Sequence, residues 1–122
     1  MFVKVARSPL HGQGCFATQE VPEGEVVARA KLIIFPPEET ETLFRTRAKN
    51  YLFYVKDGAM PDGPYHSALA MGPISFCNHS DDPNCQFSLD TERAEITLVA
   101  RRNLEHSEEI TIDYGEYADE II

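Results

Sequence analysis

Turn signals recur along this chain every eight to twelve residues or so, and that spacing constrains the fold more than any other feature. Val21-Pro22-Glu23-Gly24-Glu25, Asp57-Gly58, Asp62-Gly63 and Asp90-Thr91-Glu92-Arg93 each read as a reversal of the chain. Proline presets one backbone dihedral and glycine reaches conformations closed to other residues. The runs between these reversals are short and rich in β-branched and apolar side chains. Met1 to Ala6 alternates apolar and polar residues, as a half-buried strand does. Val26 to Phe35, Tyr51 to Val55, Ser67 to Met71, Gln86 to Leu89, Ala94 to Val99 and Glu109 to Asp113 read as further strands, with a hairpin closed over Asp90–Arg93. Pro36-Pro37 ends the Val26–Phe35 strand. One helix of any length is predicted, Glu38 to Ala48, with acids at its start, Arg45 and Arg47 towards its end, and Leu43, Phe44 and Ala48 at compatible spacing. Gly72 to Cys77 is expected to form a single helical turn. A β-rich fold follows, mainly β with short helices.

The 122 residues make one domain, 1–122, and 43% hydrophobic residues suffice for one core. A net charge of -9 attracts basic partners and repels nucleic acid phosphates. The three cysteines, Cys15, Cys77 and Cys85, cannot all pair, so a reducing intracellular compartment is expected. Lys4, Arg7 and His11 interrupt any apolar leader, and no run reaches the length of a membrane span.

Three segments carry candidate chemistry. The first is Ser8-Pro9-Leu10-His11-Gly12-Gln13-Gly14-Cys15-Phe16-Ala17. Its glycines do not open a helix, which leaves a dinucleotide fold unsupported. Instead, the missing side chains at Gly12 and Gly14 let a ligand approach the backbone. The second is Phe76-Cys77-Asn78-His79-Ser80-Asp81-Asp82-Pro83-Asn84-Cys85. Asn78-His79-Ser80 reads by itself as an Asx turn. His79 has no second His or Cys at zinc spacing, so no metal site is expected. The third is Glu109-Ile110-Thr111-Ile112-Asp113-Tyr114-Gly115, a strand that delivers Tyr114 to a glycine. The acids Glu105, Glu108, Glu109, Glu116, Asp119 and Glu120 near the end read as a solvated charged tail.

Taken in this order, the three segments resemble the signatures of the SET domain, the fold of many protein lysine methyltransferases. The resemblance runs from about Val3 to Tyr117. In Tyr51-Leu52-Phe53, Ala68-Leu69-Ala70-Met71-Gly72 and Phe76–Ser80 it is most like small stand-alone viral and bacterial members. It implies a β-clip-like fold of several small sheets with a C-terminal pseudoknot, in which the last segment passes through a loop formed by an earlier one. It implies an S-adenosylmethionine-dependent lysine N-methyltransferase, releasing S-adenosylhomocysteine and acting on a histone or histone-like basic protein. By the same resemblance, His11, Gly12, Gln13 and Gly14 wrap the methionine end of the donor. Asn78 binds its amino acid portion, and His79 meets the adenine mainly through backbone. Tyr114 is the catalytic tyrosine and Tyr51 a second hydroxyl facing the lysine channel, which Ile112 and Tyr117 also line. Gln13 stands where relatives often carry an aromatic residue, and Ile112 where many carry Phe or Tyr. Asn84 is assigned to the turn rather than to ligand. No counterpart of the zinc-binding cysteine cluster that follows the core in larger relatives is expected.

Small viral relatives are homodimers, so a homodimer is the expectation for this chain. The expected site of action is the cytoplasm, nucleus or nucleoid, including a host nucleus for a viral or secreted effector. A reading from another class, a non-catalytic module that holds the donor or a basic peptide without turnover, stays open on sequence alone.

Overall fold

The computed structural model describes residues 2–55 and 66–114. The turns at Asp57-Gly58 and Asp62-Gly63, together with Gly115, Tyr117 and the acids beyond them, lie outside the described residues. Among the described residues, nine strands form two sheets. In chain order they are β1 (Val3–Arg7), β2 (Gln13–Ala17), β3 (Val26–Phe35), β4 (Leu52–Val55), β5 (His66–Ala70), β6 (Asn78–His79), β7 (Cys85–Asp90), β8 (Glu95–Ala100) and β9 (Glu109–Ile112), with one α-helix, α1 (Pro37–Phe44), between β3 and β4. The β-rich expectation is therefore met.

The larger sheet runs β4-β5-β3-β8-β7, and all its pairs are antiparallel. Strand β3 is long enough to serve two neighbours. Its first half pairs with β8 (Ala30 opposite Ile96) and its second half with β5 (Ile33 opposite Leu69). A register shift between Val26 and Ala28 bends its start. Strand β8 alternates as a one-sided strand must: Ile96, Leu98 and Ala100 are buried while their neighbours are half-exposed. The hairpin expected over Asp90–Arg93 is present as β7–β8, with Ala94 closing the turn at φ 53°.

The helix is shorter than expected. Instead of reaching Ala48 it stops at Phe44, and a 3-10 turn follows over Arg47–Tyr51. Thr46 is the cause. It is extended (φ -114°, ψ 171°), and its hydroxyl accepts from Ala48 N–H at 3.2 Å while donating to Leu43 C=O at 2.7 Å. A threonine side chain that bonds the local backbone competes with the helical ladder and favours a restart. Helix α1 docks through Thr40, whose hydroxyl pairs with Ser67 Oγ on β5 at 2.8 Å, both residues being buried. Because the 3-10 turn runs through Tyr51, this residue precedes the strand it was expected to open.

The smaller sheet runs β1-β2-β9-β6. Strands β1 and β2 are antiparallel neighbours, but β9 arrives from the far end of the chain and inserts between β2 and β6. The β6–β9 pair is parallel, with Asn78 opposite Thr111 and His79 opposite Ile112. This insertion sets two motifs about thirty residues apart side by side. The core beneath both sheets includes Cys15, Val27, Ala68, Ile74, Cys85, Ile96, Leu98, Leu104, Ile110 and Ile112.

Candidate functional site

The loop between β1 and β2 is shaped from inside. Ser8 N–H donates to Gly12 C=O at 2.8 Å, which closes the loop, and Gly12 adopts φ 49°, a conformation that glycine takes without strain. A Cβ at Gly12 would meet only open space, so this face of the loop is free to receive a ligand. Gly14 is required for a different reason. A Cβ there would overlap the Glu109 carboxylate.

That carboxylate organises the loop. Ser8 Oγ donates to Glu109 at 2.7–2.8 Å, and Asn78 Nδ2 donates to Glu109 Oε2 at 2.8 Å. The same Asn78 amide lies 3.1 Å from His11 C=O and 3.3 Å from Gln13 C=O. Asn78 thus ties the glycine loop to β6 with its nitrogen. Glu109 is not part of a solvated tail, as its place among the terminal acids suggested. Nor is Glu108, which accepts from Asn84 Nδ2 at 2.9 Å and from Glu105 N–H at 3.0 Å. No pattern in the sequence could have exposed the Ser8–Glu109 pair, whose members are 101 residues apart.

Asn84 does what was expected of it. It is 3% exposed, its N–H donates to Thr111 Oγ1 at 3.1 Å, its Oδ1 accepts from Thr111 N–H at 2.9 Å, and its Nδ2 donates to Glu109 C=O at 2.8 Å. The turn after β6 is thereby fastened to β9.

His79 has work for its ring as well as its backbone. Tyr114 N–H donates to Nδ1 at 3.0 Å, so Nδ1 must present a lone pair. The proton then sits on Nε2, which donates to Asp81 Oδ1 at 2.8 Å. Asp113 Oδ1 lies 3.8 Å from Nδ1. The imidazole thereby fixes the backbone of the residue expected to act in catalysis. The backbone of β6 is at the edge of its sheet, so one row of its polar groups faces away from β9.

Tyr114 is half-buried, and its hydroxyl donates to Cys77 C=O at 2.6 Å. Burial, with smaller contributions from Cys77 and Tyr51, pushes its pKa up to about 12. The side chain is accordingly a neutral phenol near pH 7. Tyr51 is 40% exposed and meets Phe76 edge-on, with ring centroids 5.3 Å apart.

Two cavities meet at these tyrosines. One is bounded by His11, Gly12, Gln13, Phe76 and Asn78. The other is bounded by Leu52, Phe53, Tyr54 and Phe87. Asn50, Tyr51, Ser75, Cys77 and Tyr114 belong to both walls. One chamber therefore adds the glycine loop and Asn78 to the shared wall, and the other adds Leu52, Phe53, Tyr54 and Phe87. The structure brings together His11, Gly12, Gln13, Asn78, Tyr51 and Tyr114. Ile112, expected in the channel, is instead fully buried in the core and belongs to neither wall. Tyr117 lies outside the described residues. No group of three or more His, Cys, Asp or Glu among the described residues could hold a metal ion. Asn50, Ser75 and Cys77, which complete the shared wall, had no signal in the sequence beyond their nearness to Tyr51 and Asn78.

Comparison with known proteins places this geometry. The SET domain family model matches residues 12–115. The chain is 28% identical over 124 residues to the Schizosaccharomyces pombe histone-lysine N-methyltransferase specific for H3 lysine-37, covering 96% of this chain and 80% of that protein. It is 31% identical over 119 residues to human histone-lysine N-methyltransferase 2B, covering 92% of this chain but 4% of the much longer human protein. In three dimensions it resembles the Neurospora SET domain protein DIM-5, a histone lysine methyltransferase, with a TM-score of 0.67 and 23% identity over 92% of this chain and 51% of the other.

Proposed function

The chain belongs to the SET domain family, and from that premise we propose that it is a protein-lysine N-methyltransferase drawing its methyl group from S-adenosylmethionine. The observation that carries the reading is the shared wall. Methyl transfer from a sulfonium is an in-line displacement, which requires donor and acceptor to approach one point from opposite directions. A chamber beside the glycine loop and a chamber walled by Phe53, Tyr54 and Phe87, meeting at Tyr51 and Tyr114, suit that demand.

The residues present fit the donor. The open face at Gly12 and the neighbouring His11 and Gln13 would cradle its methionine end, whereas Gly14 is buried against Glu109 and lies outside that cavity. Asn78 would reach its amino acid portion, and the free edge of β6 at His79 would meet the adenine. When bound, S-adenosylmethionine supplies a methyl group on a positively charged sulfur that leaves readily, so the protein's share is chiefly alignment. Tyr114, anchored by its hydroxyl on Cys77 C=O and by its N–H on His79, holds a fixed phenolic oxygen at the junction. With its pKa near 12, Tyr114 is not the base that deprotonates lysine. A lysine amine, with an ordinary pKa of about 10.4, loses its proton more readily in a chamber walled by Phe53, Tyr54 and Phe87, because an apolar wall disfavours the ammonium.

The net charge of -9 suits a lysine-rich substrate, and the histone enzymes among its relatives make a histone or histone-like protein the first choice. We extend the reading to the viral and bacterial type, to a homodimer that sedimentation would test, and to an intracellular site of action, with which three free buried thiols agree. The test of the activity is transfer of labelled methyl from S-adenosylmethionine to histones, basic bacterial proteins and lysine-rich peptides, with Tyr114→Phe alongside. Labelled lysine, lost in the variant, is expected. Absence of donor binding in calorimetry would overturn the reading, whereas donor binding without transfer to any protein would favour the non-catalytic module.

A further inference from the structure

Tyr114 is held at two points. Its hydroxyl donates to Cys77 C=O at 2.6 Å, and its N–H donates to His79 Nδ1 at 3.0 Å. The second acceptor is a titratable ring. The His79 side chain is only 8% exposed and packs beside the phenol, with ring centroids 5.2 Å apart. Among the described residues, the titratable groups that meet the ring come from two segments. Asp81, in the turn after β6, accepts from Nε2 at 2.8 Å. Asp113 and Tyr114 follow β9, and Asp113 Oδ1 lies 3.8 Å from Nδ1. Arg101, just after β8, shares a cavity wall with both carboxylates.

One proton changes this arrangement. The two bonds require a lone pair on Nδ1 and a proton on Nε2, which only the neutral ring provides. A protonated ring has a donor at both nitrogens. Its Nδ1–H opposes the Tyr114 N–H, donor against donor, while Asp113 offers it a carboxylate. Protonation thus exchanges a hydrogen bond from Tyr114 for an ion pair with the preceding residue, and the peptide between the two has to turn.

We propose that His79 is a positioning residue for Tyr114, that it acts only as the neutral ring with its lone pair on Nδ1, and that its protonation slows methyl transfer while the donor stays bound. The inference rests on the methyltransferase reading. The phenol at the meeting of the two cavities contributes through where its oxygen lies, so the loss of one of its two anchors is felt in the rate. The backbone of β6, where the adenine is assigned, is held without the ring. His79 pairs with Ile112, and Ser80 N–H donates to Ile112 C=O at 2.9 Å. The Tyr114 hydroxyl, with its pKa pushed up to about 12, stays protonated throughout the range concerned. The substrate lysine also titrates, but it does so equally for every variant, so a comparison of variants isolates the ring.

The test uses the full chain as wild type, His79→Asn and His79→Gln, with single-turnover transfer to histone H3 amino-terminal peptides between about pH 5 and 8, where histidine side chains change charge. An Asn oxygen stands near the place of Nδ1 and accepts at every pH, whereas a Gln amide reaches the place of Nε2 and leaves the Tyr114 N–H without its acceptor. His79→Asn should transfer within about threefold of wild type at about pH 8 and gain on it as pH falls, and His79→Gln should be about tenfold slower than wild type at about pH 8. Donor affinity by calorimetry should stay within about twofold in all three. In the wild type, nitrogen NMR should show the proton on Nε2, and the Tyr114 amide signal should shift with the same midpoint as the His79 ring. A proton on Nδ1, a Tyr114 amide that ignores the ring, or parallel pH profiles for wild type and His79→Asn would overturn the inference. Should His79→Asn not fold, the NMR of the wild type decides. Wild type that binds no donor overturns the methyltransferase reading, and the same NMR then upholds or refutes the hold of His79 on Tyr114 by itself.

Discussion

The two sheets are held together by different physics. The five-stranded sheet is a continuous antiparallel ladder over an apolar core, with Ile96 and Leu98 of β8 fully buried at its centre. The four-stranded sheet includes a two-residue strand, one parallel pair and a strand inserted from the far end of the chain. Its segments are bound by side chains as much as by backbone. Asn84 fastens the turn after β6 to β9, Asn78 and Glu109 hold the glycine loop, and the His79 ring holds Tyr114. Burial is non-directional and can be shared among many contacts. A hydrogen bond to a buried partner is directional, and removing one side strands the other. The scaffold therefore rests on the first force, while the site, which must hold particular atoms in particular places, rests on the second.

The contrast can be broken most forcefully from the scaffold side. Leu98→Ala removes a fully buried side chain from a central strand and should cost about 2–5 kcal/mol of stability. In chemical denaturation the midpoint should fall accordingly, while donor affinity of the molecules still folded stays unchanged. If affinity falls in step with stability, the two sheets are not independent in the way drawn above.

The complementary change, Tyr114→Phe, should lower the rate of methyl transfer about a hundredfold or more through loss of one fixed hydroxyl at the junction. Its effect on stability should be confined to about 1 kcal/mol, the usual net value of a hydrogen bond such as that to Cys77 C=O. Steady-state kinetics beside thermal melting separates the two.

Glu109→Gln probes the clamp between the loop and β9. The new amide nitrogen would face the donors of Ser8 and Asn78, which now meet a carboxylate. A stability loss of about 1–3 kcal/mol and weaker donor binding by calorimetry are expected, with kcat at saturating donor less affected than affinity. Unchanged donor affinity would remove the clamp from the account of the site.

The smallest effect is alkaline. Burial raises the Tyr114 pKa from 10.0 to about 12, so the folded state keeps a proton that the unfolded state gives up. The stabilisation is fully present below pH 10 and is lost as pH rises towards 12. Cys85, raised by burial from 9.0 to about 12, adds to the same limb. Wild type should lose stability more steeply than Tyr114→Phe between pH 10 and 12, and parallel melting curves across that range would contradict the burial argument.

Much of the scaffold was legible before the structure was seen, because its signals are local. The β7–β8 hairpin is announced by Asp90–Arg93 between two strand-forming runs, and β3 is announced by its β-branched content and stopped by Pro36-Pro37. Gly12, Asn78 and Tyr114, which the family motifs single out and periodicity does not, line one cavity. Three features are not legible in the sequence. Helix propensity does not register the hydrogen bonds of Thr46 that end α1. The offset of Ile112 from Tyr114 points to the channel, but Ile112 is buried in the core on β9, paired with β6. Charge patterning groups Glu109 with exposed acids because it sees neighbours in sequence, whereas its partners Ser8 and Asn78 come from distant segments.

By itself the sequence determined the β-rich class and much of the strand and turn succession, since these follow from short-range backbone preference and side-chain type. Only the tertiary structure decided that Glu109 is a clamp, that the His79 ring supports Tyr114 and that Ile112 is core. Each of those outcomes depends on β9 entering between β2 and β6 or on walls drawn from segments far apart in the chain. Contacts of that range carry no local signature, because burial and hydrogen-bond satisfaction are settled only when distant segments meet.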